Sequence, residues 1–130
     1  MFQLKDIKEA HSKVKSGADF PGYVQDLTKL GVAKYDTYVS DGHSLFFGDN
    51  DFQIQSEFKY SDLNVVNVSD RERFKHYLKI HQQGETDYLT FCRHCAETGV
   101  EKWTVNLARM TCTYYDKASH EMLEEKIPAP

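Results

Sequence analysis

One residue pattern runs twice along this chain. Tyr23-Val24-Gln25-Asp26-Leu27-Thr28-Lys29-Leu30-Gly31-Val32-Ala33-Lys34-Tyr35 aligns without a gap on Phe91-Cys92-Arg93-His94-Cys95-Ala96-Glu97-Thr98-Gly99-Val100-Glu101-Lys102-Trp103, an offset of 99 − 31 = 68. The same offset carries Phe46-Phe47 onto Tyr114-Tyr115. A fixed internal period constrains architecture before any local propensity does. It also supplies a control, because each chemically suggestive residue has a counterpart in the other copy.

Within each copy the hydrophobic period changes in the same order. Leu4, Ile7, Ala10 and Val14 recur at helical spacing over Leu4 to Ser16, with Gly17 as the stop. Asp19 caps a second helix carrying Phe20, Tyr23, Val24, Leu27 and Leu30, closed by Gly31. The period then falls to two through Tyr35, Thr37 and Val39. Asp41-Gly42 signals a hairpin, Ser44 to Phe47 returns, and Phe52 to Phe58 alternates as a third strand. After a crossover at 60–68, with a short strand expected near Val65-Val66, Ser69 and Glu72 form a capping box before Phe74, Tyr77, Leu78 and His81. Gly84 closes that helix, and Thr86 caps the next, which ends at Gly99. Strands then run Val100–Leu107, Met110–Asp116 and Glu121–Ile127. Gly17 to Gly31 spans 31 − 17 = 14 residues and Gly84 to Gly99 spans 99 − 84 = 15, a one-residue insertion near Asp87. The expectation is a single α+β domain over 1–130. Its two helix-helix-three-strand halves, 2–59 and 69–127, are related by a pseudo-two-fold, with helices on antiparallel sheet. One continuous sheet and two stacked meanders both satisfy this pattern.

Composition narrows the setting. The net charge of −4 gathers into no basic stripe, which argues against nucleic acid as a partner. No apolar run approaches the length of a membrane span, and charges interrupt the first residues as they would not in a signal peptide. Three cysteines are too few and odd in number for a disulfide framework, so reduced thiols and a cytoplasmic location are expected.

Candidate chemistry is sparse. Cys92 and Cys95 flank His94, but they align with Val24 and Leu27 on the apolar stripe. Buried core therefore outweighs a functional thiol, and no second ligand pair exists for zinc. Cys112 has no activator nearby in sequence. Asp36, Asp41, His43, Asp49 and Asp51 gather around the first hairpin, where turn chemistry outweighs metal binding. No metal site and no cofactor are expected. His11 and His81 stand on apolar helix faces where the other copy has Leu78 and Val14. Core histidines are the ordinary reading of such positions. A site reading survives because packing alone did not dictate them. With Tyr77 they are candidates for a ligand cleft between the halves. His76 and His120 fall on exposed positions. Tyr38 points away from the core, and Phe46 and Tyr114 lie among rings on both faces of the return strands. These three are candidates for an interface, unless the stacked meanders bury them.

The runs Gln3-Leu4-Lys5-Asp6-Ile7-Lys8-Glu9-Ala10-His11, Val14-Lys15-Ser16-Gly17-Ala18-Asp19-Phe20-Pro21, Tyr38-Val39-Ser40-Asp41-Gly42-His43 and Gly99-Val100-Glu101-Lys102-Trp103 carry a resemblance over essentially the whole chain. It resembles a small bacterial family of unknown function whose members are often labelled phage envelope protein, some of them from prophage regions. That resemblance carries no catalytic assignment. Three classes of function remain. The preferred one is a small binding module whose partner is an unknown small ligand. The second is a protein-interaction or assembly module, a homodimer included, using an aromatic sheet face. The third is an enzyme with histidine acid and base.

Overall fold

The computed structural model describes residues 2–15 and 17–128. Among these described residues, four helices and six strands follow one another as α1 (Leu4–His11), a 3-10 turn (Gly17–Asp19), α2 (Phe20–Leu30), β1 (Lys34–Tyr38), β2 (Ser44–Phe47), β3 (Gln53–Gln55), α3 (Arg71–Gln82), α4 (Tyr88–Glu97), β4 (Val100–Asn106), β5 (Thr111–Asp116) and β6 (Glu121–Lys126). The order helix, helix, three strands thus occurs twice. The two meanders join edge to edge in one antiparallel sheet, ordered β3-β2-β1-β4-β5-β6.

The join has an informative register. Asp36 lies opposite Thr104, flanked by Lys34 opposite Asn106 and Tyr38 opposite Lys102. Since 104 − 36 = 68, the sequence offset carries Lys34 to Lys102 and Tyr38 to Asn106, so it maps the ladder onto itself. Hydrophobic alternation fixes which face each strand buries, and a one-residue slip would turn every ring outward.

All four helices cover one face. Tyr35 meets Tyr23 of α2 and packs on Phe46 of β2, while Trp103 and Tyr114 meet Phe91 and Phe74 of α4 and α3. Val24, Leu27, Phe74, Cys92 and Cys95 are fully buried between these layers. Free thiols are among the groups that bury most readily, so the three cysteines sit in the core rather than at a site. The opposite face carries no helix and presents Asp36, Tyr38, Lys102, Thr104 and Tyr115, which alternate with the residues under the helices; Asp36 is itself buried there at 7%, accepting a hydrogen bond from Thr104 and facing Lys102 at 3.7 Å. Phe46 and Tyr114, expected among the interface candidates, therefore lie under the helices at 4% and 7% exposure. Their neighbours Phe47 and Tyr115 take the open face, and Tyr38 points there as expected.

Several boundaries differ from the sequence reading. The first helix ends at His11, not near Ser16, which lies outside the described residues. The third strand is only Gln53–Gln55, and no strand forms at Val65-Val66. Instead the crossover is pinned by single bonds, from Leu63 N–H to the Ser40 carbonyl and from Val66 N–H to that of Ala96. The caps shift by one. Asp70 accepts from Arg73 N–H and Asp87 from Thr90 N–H, so Ser69 and Thr86 are not the caps. Ser69 hydrogen-bonds Asp116 instead, and Thr86 receives His81. A carboxylate is the better cap because it also meets the positive end of the helix dipole.

Candidate functional site

The first half builds a groove of about 400 Å³ between α1, α2, β2 and the chain that leaves β3. Ile7 and His11, four residues apart, share one face of α1 and look into it. Tyr23 and Phe46 supply the rest of an apolar floor, and Ser56 to Lys59 form the far wall. The volume falls at the small end of ligand cavities.

Two lysines, Lys8 and Lys59, and the His11 imidazole stand around that floor. Lys8 faces Glu57 at 3.8 Å, but both side chains are largely exposed, so this pair contributes little. Lys59 has no carboxylate within ion-pairing distance among the described residues. Partial burial pushes its ammonium below the ordinary lysine value, the Cys92 sulfur opposes that fall, and Lys8 adds to it. His11 is held below its ordinary value first by burial and then by the Lys59 charge. Its ring meets that of Tyr23 edge-on, with centroids 5.3 Å apart. Burial and the Lys59 charge thus disfavour a protonated His11 in the ligand-free groove.

His81 and Tyr77 take no part in this groove, which corrects the expectation of a shared cleft. His81 stacks on Phe91 at 4.4 Å, and its Nδ1 lies 3.1 Å from the Thr86 carbonyl oxygen and 3.0 Å from the Thr86 hydroxyl. It ties the end of α3 to the loop before α4. Tyr77 stacks on His94 at 3.8 Å and accepts a hydrogen bond from Arg73. The two halves keep their histidines apart because each first helix packs against its own second helix, not across the join. His76 and His120 are exposed, as read from sequence.

Burial, opposed by the Thr86 contact, lowers the His81 pKa. The folded chain then favours neutral imidazole, and the unfolded chain takes up protons first as pH falls below about 6.5. Stability from this group is complete above that value and declines as pH falls through the folded pKa. His81→Val is expected to cost about 1 kcal/mol at pH 7.5, where its hydrogen bond is lost. The variant's further loss of stability between pH 7.5 and 5.5 is expected to be smaller than the parent's. Urea midpoints at the two pH values measure both effects.

Two further clusters lie close by. The hydroxyls of Tyr60 and Tyr88 turn toward the Cys92 sulfur, and Tyr60 also donates to the Val39 carbonyl at 2.6 Å. Burial raises the Cys92 thiol above its ordinary value despite these hydroxyls and Lys59, so it remains protonated at neutral pH and a poor nucleophile. At the first hairpin Asp41 accepts from both the backbone N–H and the ring Nδ1 of His43. Asp41 is held below the usual carboxylate range by those bonds, against its own partial burial. Asp49 and Asp51 flank a turn in which Asn50 and Asp51 adopt positive φ, in line with turn chemistry. Among the described residues no group of three or more His, Cys, Asp or Glu gathers to hold a metal ion.

Residues 8–126 match the model of a family described as "Protein of unknown function (DUF1398)". The chain belongs to this family. No curated protein matches it. No described helix of this family member is long and apolar enough to cross a membrane.

Proposed function

We propose that the chain is a small cytoplasmic binding module. Its two halves arose by duplication, and the groove of the first half takes an anionic, amphipathic small molecule such as a medium-chain carboxylate. The observation that carries this reading is the convergence of His11 and Lys59, neither paired with a carboxylate, on the apolar floor of Ile7, Tyr23 and Phe46. An apolar tail would replace water along that floor, at roughly 25 cal/mol per Å² of surface removed from water. A carboxylate head would meet the Lys59 ammonium and favour protonation of His11, and a charge-assisted bond to Lys59 is worth about 1.5–3 kcal/mol. The second half offers no equivalent site. Leu78 stands where His11 stands in the first half, and the strand after the second hairpin stays paired with β5 as β6 (Glu121–Lys126), without the Ser56–Lys59 wall.

Calorimetric titration of octanoate tests this. Lys59→Met keeps the stem and removes the charge, and is expected to weaken binding by roughly 10–100-fold, the fold-change of that lost bond. Equal affinity in both proteins would remove Lys59 from the site.

A further inference from the structure

A second polar site lies on the open face of the sheet, beyond Phe58. His43 follows the tight turn at Gly42, where φ is +77° and a Cβ would stand 2.8 Å from the Tyr60 ring, so the backbone there is fixed by close packing. The His43 ring donates from Nδ1 to Asp41 Oδ1 at 2.5 Å, which leaves Nε2 as the basic nitrogen. Tyr38 stacks on the ring with centroids 4.7 Å apart and planes 7° from parallel, and Phe58 meets it edge-on at 5.9 Å. The His43 and Asp41 side chains are only 18% and 15% exposed. Yet Nε2 bonds no described residue, and it is not among the buried atoms left without a partner, so it reaches solvent. Such a ring is pre-oriented, with its basic nitrogen open. Lys102 places its ammonium 5.8 Å from the centre of the same Tyr38 ring, and Phe58 is 68% exposed.

We propose that His43 is a general base that activates water against small carboxylic esters, with Asp41 as its positioning residue. Phe58 offers an apolar rest for the acyl or alcohol part. No described serine, threonine or cysteine side chain bonds His43, so water is the nucleophile. The water oxygen bonds to the acyl carbon as its proton passes to Nε2. The bond from that carbon to the alcohol oxygen then breaks, and the proton passes from Nε2 to the departing alkoxide. Ester and water become acid and alcohol, with no other reactant. The residue types and hydrogen-bond order match the role of an acid–base histidine held in one tautomer by a carboxylate.

Hydrolysis of 4-nitrophenyl acetate by the full chain tests the proposal. Per molecule, the rate is expected to exceed that of free imidazole at equal concentration by tenfold or more. His43→Gln removes that excess. Asp41→Asn lowers kcat at least tenfold at unchanged KM, while Phe58→Ala raises KM and leaves the thermal midpoint unchanged. His120→Gln serves as a control. Its side chain is 79% exposed and also lies near a carboxylate, Asp116 at 3.5 Å, so loss of an exposed histidine–aspartate pair should leave the rate unchanged. A rate no greater than that of imidazole, or one untouched by His43→Gln, overturns the proposal. So does an Asp41→Asn variant that changes the midpoint but not kcat.

Discussion

Phe74→Ala is expected to cost about 3–5 kcal/mol. Phe74 is fully buried where α3, α4 and the second meander meet, with its ring 4.8 Å from that of Tyr114 and 6.3 Å from that of Phe91. Truncation loses the transfer energy of the ring and leaves a cavity between three elements that cannot all close on it. Small domains hold roughly 5–15 kcal/mol in total, so the thermal midpoint should fall by on the order of 10–20 °C. Phe58→Ala, at an exposed ring, is expected to change stability by no more than about 0.5 kcal/mol. Chemical denaturation of the two variants side by side checks the contrast. Similar losses in both would mean that α3 does not pack as described.

Gly99→Ala is expected to cost roughly 2–4 kcal/mol, and Gly31→Ala, at the matching place in the other half, about 1–2 kcal/mol. Both glycines follow a second helix with positive φ, +99° at Gly31 and +87° at Gly99, so alanine meets the left-handed penalty in each. Only Gly99 is also crowded. A Cβ there would stand 2.8 Å from the Val68 carbonyl oxygen and 3.0 Å from the Ser69 Cα. At Gly31 the nearest atom is in the Phe2 ring at 3.9 Å, an ordinary contact. The difference arises because the crossover between halves passes over the second half, where Asp70 N–H also bonds the Thr98 carbonyl. Equal penalties in denaturant titrations would deny that close approach.

The element order was legible because helical and alternating periods are local properties, and the change of period at Val32 and at Val100 is sharp. The 68-residue offset carried more than order, since it is also the separation of Asp36 and Thr104 across the central ladder. Face assignment was less legible. Phe46-Phe47 and Tyr114-Tyr115 are adjacent pairs of equal hydrophobicity, and only the pairing of β2 with β1 and of β5 with β4 decides which ring goes under the helices. The groove is not legible in sequence because its wall, Ser56 to Lys59, alternates like a strand but lies beyond the end of β3 at Gln55. Lys59 carried no signal beyond being a lysine. The mismatch of His11 with Leu78 does mark a groove residue, whereas the same kind of mismatch at His81 marks a histidine that ties a loop. Asp41 and His43 were legible only as turn residues, because a turn places its side chains in space by torsion rather than by period.

The most direct test of the binding account is a comparison of octanoate with octylammonium, which share an apolar tail and differ in the sign of the head. Titrating each into the protein by calorimetry at pH 7.0 and 5.5 reads both parts of the claim. The account predicts that octanoate binds, that octylammonium does not, and that octanoate binds more tightly at the lower pH. That pH trend follows from His11, whose proton uptake is suppressed in the free groove and favoured once an anion is present. Equal binding of both amphiphiles, or none by octanoate at either pH, would contradict it.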